Sequence, residues 1–337
     1  MISYKSQKRL AYFLFACFVI TAIILLGADK RNITSLAEGN NDGQPLSIKI
    51  SESLKYKIPE GANNIRIWIP LPAADGYQSV ESLKIKSPWS YKIIKDPDFN
   101  NKVLFIALDN TPEKKSQAII KWEYRVVRRE QKAFSMGANY SFSNELYLNE
   151  RGLEIIDDRI REIAKTVTDQ ISDPLEKAKA LYNYVLTNVD YDTSVAGWGK
   201  GDVVYVCNVG KGNCTDFHSL FISLSRAAGI PARFRIGYPI PSESAGKLLK
   251  PYHCWAEFFI EGKGWIPVDI SEAWKYPDKA DYYFGNIDKY RILISTGREI
   301  SLLPEGPTLN YFVTPYVEFD GKRYEHFEIE RSFVKNI

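Results

Sequence analysis

Three residues of this 337-residue chain have types and surroundings suited to covalent catalysis. Cys214 follows Gly212-Asn213 and precedes Thr215-Asp216-Phe217. His253 lies in Tyr252-His253-Cys254-Trp255-Ala256-Glu257-Phe258, and Asp269 ends Gly264-Trp265-Ile266-Pro267-Val268-Asp269. A thiolate is a strong nucleophile, an imidazole can take its proton and hand one to a leaving amine, and a carboxylate can fix the imidazole tautomer. Attack on an amide carbonyl would give a thioester that water or an amine resolves. A solitary cysteine or histidine is more often an inert core residue. The set of three is what points to catalysis.

These residues need elements to hold them. Leu220, Phe221, Leu224, Ala227 and Ala228 form an apolar helical run after Cys214, and Gly229 and Pro231 stop it. Cys214 therefore falls at a helix N-terminus with Asn213 as cap. There, unpaired amides and the helix dipole lower a thiol pKa, and the Cys214 N–H can meet an acyl oxyanion. Alternation puts His253, Trp255 and Glu257 on one strand face. A turn at Gly262-Lys263-Gly264 leads into a second strand that sets Asp269 beside His253. Gly197, Gly199, Gly201, Gly210 and Gly212 mark a loop leading to Cys214. Trp198 or a backbone N–H of residues 197–213 is the candidate second oxyanion donor. His218, one turn after Cys214, is placed to support the site. A metal on Cys214 and His218 would need two more ligands, and no pattern supplies them. No metal and no cofactor is expected. Asp216 suits the helix dipole.

Upstream, Ile65, Ile67 and Ile69 alternate with Arg66 and Trp68, and Ile120, Trp122, Tyr124 and Val126 alternate with Lys121, Glu123 and Arg125. Leu83 and Ile85 alternate with Lys84 and Lys86. Period two buries one face of an antiparallel sheet and wets the other. Turns at Pro59-Glu60-Gly61, Ala74-Asp75-Gly76 and Asp96-Pro97-Asp98 separate the runs. Residues 46–130 thus read as a β-sandwich. Helices begin near Asp157, and Asp173-Pro174 opens another with a cap and a first-turn proline. The fold class is α+β: the sandwich, then a domain at 131–300 whose Cys-bearing helix packs on an antiparallel sheet. Residues 301–337 read as short C-terminal strands packed on that core, with a turn at Asp320-Gly321.

Gly212-Asn213-Cys214, Arg226-Ala227-Ala228-Gly229-Ile230-Pro231-Ala232-Arg233, His253-Cys254-Trp255-Ala256-Glu257 and Gly264-Trp265-Ile266-Pro267-Val268-Asp269 resemble the bacterial transglutaminase-like superfamily, in the family's order, between about Asp173 and Arg298. Gly201-Asp202 and the tail from Asn310-Tyr311-Phe312 to Gly321 resemble members with a β-rich N-terminal domain. The resemblance implies a papain-like core and a thioester intermediate. By position it makes Cys214 the nucleophile, His253 the base and Asp269 the orienter. Thr215 stands where the cross-linking enzymes carry an aromatic, and no acidic loop has the spacing of an EF-hand calcium site. Hydrolysis of a peptide or amide is therefore expected ahead of transamidation.

Lys5, Lys8 and Arg9 precede Leu10–Leu26, a stretch without a charge, and Gly27-Ala28-Asp29. Residues 1–28 read as a signal peptide or a membrane anchor, and 29–45 as a polar linker. The apolar run continues past Cys17, which argues against a lipoprotein site there. The protein is expected outside the cytoplasm, periplasmic or cell-surface, free or tethered to the inner membrane through residues 10–28. Outside the cytoplasm Cys207 and Cys254 could pair and leave Cys214 free. A net charge of +3 with no basic stripe excludes nucleic acid as a partner. With 45% hydrophobic residues, disorder is excluded for most of the chain. The expected partner is a peptide or protein substrate, cell-wall peptide included. Two rivals stand beside the enzyme: a non-catalytic module binding peptide or cell-wall material on the same fold, and a structural protein of the envelope.

Overall fold

The computed structural model describes residues 44–109, 117–133, 144–248 and 252–336. The apolar stretch Leu10–Leu26 and most of the linker lie outside these residues. Among the described residues no helix is long and apolar enough to cross a membrane.

Alternation builds the first strands: β1 (Leu46–Tyr56), β2 (Ile65–Pro70), β3 (Gln78–Lys86), β4 (Lys92–Lys95), β5 (Lys102–Leu108) and β6 (Ala118–Arg128). In β6, Ile120, Trp122, Tyr124 and Val126 are buried while Lys121 is exposed, as a two-residue repeat requires. Next come α1 (Asp158–Val167), α2 (Pro174–Asn188) and α3 (Cys214–Ala227). Asp157 and Asp173 cap the first two through their carboxylates. The chain continues through β7 (Ala232–Pro239), β8 (Ala245–Lys247), β9 (His253–Ile260), β10 (Gly264–Val268), α4 (Ile270–Lys275) and β11 (Arg291–Thr296). It closes with β12 (Tyr316–Phe319), β13 (Lys322–Arg323) and β14 (Phe327–Asn336).

Three larger sheets result, with strand orders β8-β14-β1-β6-β3, β13-β12-β2-β5-β4 and β10-β9-β7-β11. The first two form the sandwich; the third carries His253 on β9 and leads through β10 into Asp269. The C-terminal strands do not pack on the catalytic core as expected. β14 pairs with β1 from Ser47↔Asn336 to Tyr56↔Phe327, and β12 pairs with β2, so both complete the sandwich. The reason is edge satisfaction: β1 and β2 would otherwise each expose a row of unpaired N–H and C=O groups. The 300–312 segment corrects a second expectation. Trp68, on the face of β2 that alternation leaves wet, is fully buried with Val103 and Phe105 against Ile300, Leu302 and Phe312. Its indole donates to the Leu303 carbonyl at 2.8 Å.

Gly43–Ile337 forms one compact unit. Buried Glu52 of β1 shows why the sandwich and the catalytic sheet hold together. It accepts from Tyr124 at 2.9 Å, from Arg331 of β14 at 2.7 Å and from Tyr238 of β7 at 3.2 Å. α3 is the hub of the catalytic half. It packs against α1, α2, β7 and β9 and is buried from Cys214 to Arg226. Each fully buried Phe or Leu along it, such as Phe217, Phe221 and Leu224, contributes roughly 1.5–3 kcal/mol.

Candidate active site

The start of α3 is locally encoded. Asn213 accepts the Thr215 amide on Oδ1 at 2.8 Å, and its carbonyl accepts the amides of Asp216 at 3.1 Å and Phe217 at 3.2 Å. Asp216 completes a capping box by accepting the Asn213 amide at 2.9 Å. The Cys214 N–H has no such acceptor among the described residues, so it is available to an incoming oxygen.

Asp216 does more than suit a dipole. Its carboxylate also accepts the amides of Gly199 at 2.6 Å and Gly201 at 2.9 Å. Those two N–H groups hold the loop shut on the helix and are spent as oxyanion donors. Trp198, between Gly197 and Gly199, is 42% exposed. Arg298 clamps the same loop, donating to the Lys200 carbonyl at 2.7 Å and to Ser219 Oγ at 2.9 Å.

The three predicted residues come together. His253 Nε2 and Asp269 Oδ2 lie 2.6 Å apart, and His253 and Cys214 are near enough for each to shift the other's pKa. Asp269 is fully buried, Cys214 is 4% exposed and His253 6%. Burial opposes a charged His253, but the Asp269 carboxylate outweighs it, and the imidazole pKa is pushed up to about 9. A hydrogen bond with the Cys254 side chain, then burial acting in opposition, then the bond and charge of His253 leave the Cys214 thiol well below its ordinary value. Burial would raise Asp269, yet His253, His218 and Arg291 hold it far below the usual carboxylate range. Both shifts favour the charged forms, thiolate on Cys214 and imidazolium on His253.

Asp269 differs from expectation in its backing. It follows β10 as the N-cap of α4, and Oδ1 accepts the Glu272 amide at 3.1 Å and the Ser271 hydroxyl at 3.1 Å. The strand register sets Val268 opposite Ala256, so the pair meets through side-chain reach and not through cross-strand pairing.

Trp255 and Glu257 do not share the face that meets the helix. Trp255 packs on Ile287 and Leu293, and Glu257 binds Arg233 Nε at 2.7 Å and Gln131 Nε2 at 3.0 Å. The helix side of β9 belongs to Cys254 and Phe258; Phe258 meets Phe221 edge to face at 6.0 Å. His253, the first residue of β9, reaches the site from the strand end. Tyr252 also reaches it, its hydroxyl 3.0 Å from Asn213 Nδ2 and 3.3 Å from Thr215 Oγ1. Cys207 and Cys254, which the sequence allowed to pair, are both free thiols. Cys207 interacts electrostatically with Arg159 and Asp157, on a different flank from Cys254. His218 is buried, and its Nε2 accepts the Ile270 amide at 3.0 Å. Among the described residues no group of three or more His, Cys, Asp or Glu is arranged to hold a metal ion.

Residues 161–270 match the transglutaminase-like superfamily. An uncharacterized protein of Haemophilus influenzae is 28% identical over 326 residues, covering 83% of this chain and 88% of the relative. Uncharacterized protein YebA of Bacillus subtilis is 28% identical over 152 residues, which span 40% of this chain and 21% of YebA. A solved structure from Cytophaga hutchinsonii, provisionally assigned as a cysteine protease, aligns with a TM-score of 0.55 at 15% identity. The match covers 87% of this chain and 98% of that one, and the likeness is one of fold. Cys214, His253 and Asp269 all lie within the stretch, residues 161–270, that matches the transglutaminase-like superfamily.

Proposed function

We propose that the protein is a thiol-dependent amide or peptide hydrolase, with acyl transfer to amines as a second outcome of the same intermediate. The observation that carries this is the buried His253–Asp269 pair at 2.6 Å, electrostatically coupled to Cys214 at a helix start. In the proposed reaction His253 holds the Cys214 proton, and the thiolate attacks the substrate carbonyl carbon. The Cys214 N–H steadies the oxyanion. Collapse expels the amine, which takes its proton from His253. Water then attacks the thioester with His253 as base, releasing the acid and restoring the thiol. An amine in place of water gives transamidation.

The uncharged stretch Leu10–Leu26 behind three basic residues supports export, by a cleaved signal or a retained anchor, and so an extracytoplasmic peptide as substrate. A non-catalytic binding module gains nothing from an imidazole–carboxylate pair aimed at a buried thiol, so the catalytic reading is favoured over it.

The test is the iodoacetamide alkylation rate of Cys214 in the full chain across pH, in wild type and His253→Ala. Fast modification well below about pH 8.5, lost in the variant, supports the reading. Slow modification that follows an ordinary thiol and ignores the substitution overturns it. Acid release against amine incorporation on one glutamine peptide then separates the two outcomes.

A further inference from the structure

The oxyanion of the proposed reaction meets the Cys214 N–H, while Asp216 holds the amides of Gly199 and Gly201. The half-buried Tyr252 brings a further donor to the same place. Its hydroxyl is anchored to the side chains on both sides of Cys214, 3.0 Å from Asn213 Nδ2 and 3.3 Å from Thr215 Oγ1. The loop ahead of Cys214 closes on it. Gly199 has φ +81°, and a Cβ there would stand 3.2 Å from Asn213 Nδ2 and 3.8 Å from Tyr252 Oη.

Hydrogen-bond accounting fixes where the protons point. Asn213 Oδ1 accepts the Thr215 amide, so Nδ2 is the atom that donates to Tyr252. Cys254 Sγ donates to Thr215 Oγ1 at 3.7 Å. Thr215 is fully buried, and among the described residues Tyr252 Oη is the acceptor within reach of its O–H. Were Tyr252 to donate to Thr215, the Thr215 hydrogen would be buried without a partner. Tyr252 Oη therefore accepts twice and keeps its own O–H to give. Tyr311, its ring centroid 5.7 Å from that of Tyr252, is the neighbour that competes for this hydrogen.

We propose that Tyr252 is a catalytic residue whose hydroxyl is the second donor to the oxyanion formed when Cys214 attacks a carbonyl. The proposal rests on Cys214 being the nucleophile. As sulfur bonds to the carbonyl carbon, the π pair moves to oxygen, and the Cys214 N–H and the Tyr252 O–H share the charge. When that pair returns and the C–N bond breaks, the amine takes the His253 proton and Tyr252 keeps its own. Burial and the Cys214 charge raise the phenol above its ordinary pKa, so it lends a hydrogen bond without losing a proton.

The test sets two reactions of Cys214 against each other in the full-length chain. Acetylation by p-nitrophenyl acetate passes through an oxyanion, and alkylation by iodoacetamide does not. Both are followed on the Cys214 peptide by mass spectrometry in wild type, Tyr252→Phe and Tyr311→Phe. Tyr252→Phe is expected to slow acetylation about 100-fold and to leave alkylation within roughly twofold. Tyr311→Phe removes the competing acceptor and should not slow acetylation. Unchanged acetylation in Tyr252→Phe, equal slowing of both reactions, or an equal loss in Tyr311→Phe overturns the proposal and leaves the nucleophile intact. Wild-type acetylation no faster than that of a free cysteine thiolate overturns it too. Should Tyr252→Phe fail to fold, 3-fluorotyrosine at position 252 gives a stronger donor of nearly the same shape. It should speed acetylation relative to alkylation, and an unchanged ratio overturns the proposal. Wild-type alkylation that follows an ordinary thiol overturns the proposed function, and this assignment falls with it.

Discussion

His253 Nε2 and Asp269 Oδ2 are 2.6 Å apart in a site from which Asp269 is wholly excluded from solvent. The contact fixes which imidazole nitrogen faces the sulfur. Asp269→Asn keeps the shape but presents an amide that can favour the wrong tautomer. The expected loss in kcat is roughly 10³–10⁴-fold with KM little changed, measured on whichever amide the substrate screen yields. A loss below tenfold would mean that Asp269 serves only as the cap of α4.

The pH window follows from the same pair. The reactive ion pair exists above the lowered Cys214 pKa and below the His253 value of about 9. Activity should therefore rise on the acid side as the thiol ionises and fall as pH passes through about 9, where His253 loses the proton the leaving group needs. An alkaline limb near the ordinary imidazole value of 6.5 would contradict the Asp269 effect.

The loop before Cys214 is pinned by one carboxylate and one missing methyl group. Gly201 has φ +65°, and a Cβ there would lie 2.4 Å from Ser219 Oγ and 2.6 Å from Arg298 Nη1. Gly201→Ala should cost more than about 1 kcal/mol in urea unfolding. Asp216→Asn removes a charged acceptor from three amides and should cost about 1–3 kcal/mol. Limited proteolysis within 197–213 should accelerate in both.

Glu257 tests the division between the two faces of β9. Burial opposes its charge, but Arg233 and Arg235 with Gln131 lower its pKa to about 2. Glu257→Gln leaves Arg233 short of its counter-charge, whereas Arg235 keeps Asp75, and should destabilise the fold by about 3 kcal/mol. The Cys214 alkylation profile, read under folded conditions, should not move.

Much of the site is legible in the sequence because its signals are local. Asn213 caps, Gly229 stops, and His253 and Asp269 flank one hairpin, so Cys214, His253 and Asp269 can be chosen without coordinates. The surroundings of Cys254 and Glu257 are not legible. Alternation says that neighbours point opposite ways, but not which face meets α3, and His253 at the strand end departs from its own face. Trp68 is unreadable for a related reason. Its cover, Ile300 to Phe312, is more than two hundred residues away, and one strand's periodicity carries no news of a distant lid. The pairing of β14 with β1 is equally remote.

That pairing makes assembly of the protein wait on synthesis. β1 leaves the ribosome well before its ten-position partner β14. At about 5–20 residues per second, the chain between Tyr56 and Phe327 takes roughly 15–55 s to make. During that interval β1 has one long side that nothing in its own chain can zip, a sticky template for any other extended segment. The sandwich cannot close until Phe327 has emerged. A chain broken off early carries a permanently open seam, which makes it recognisable to proteases as unfinished.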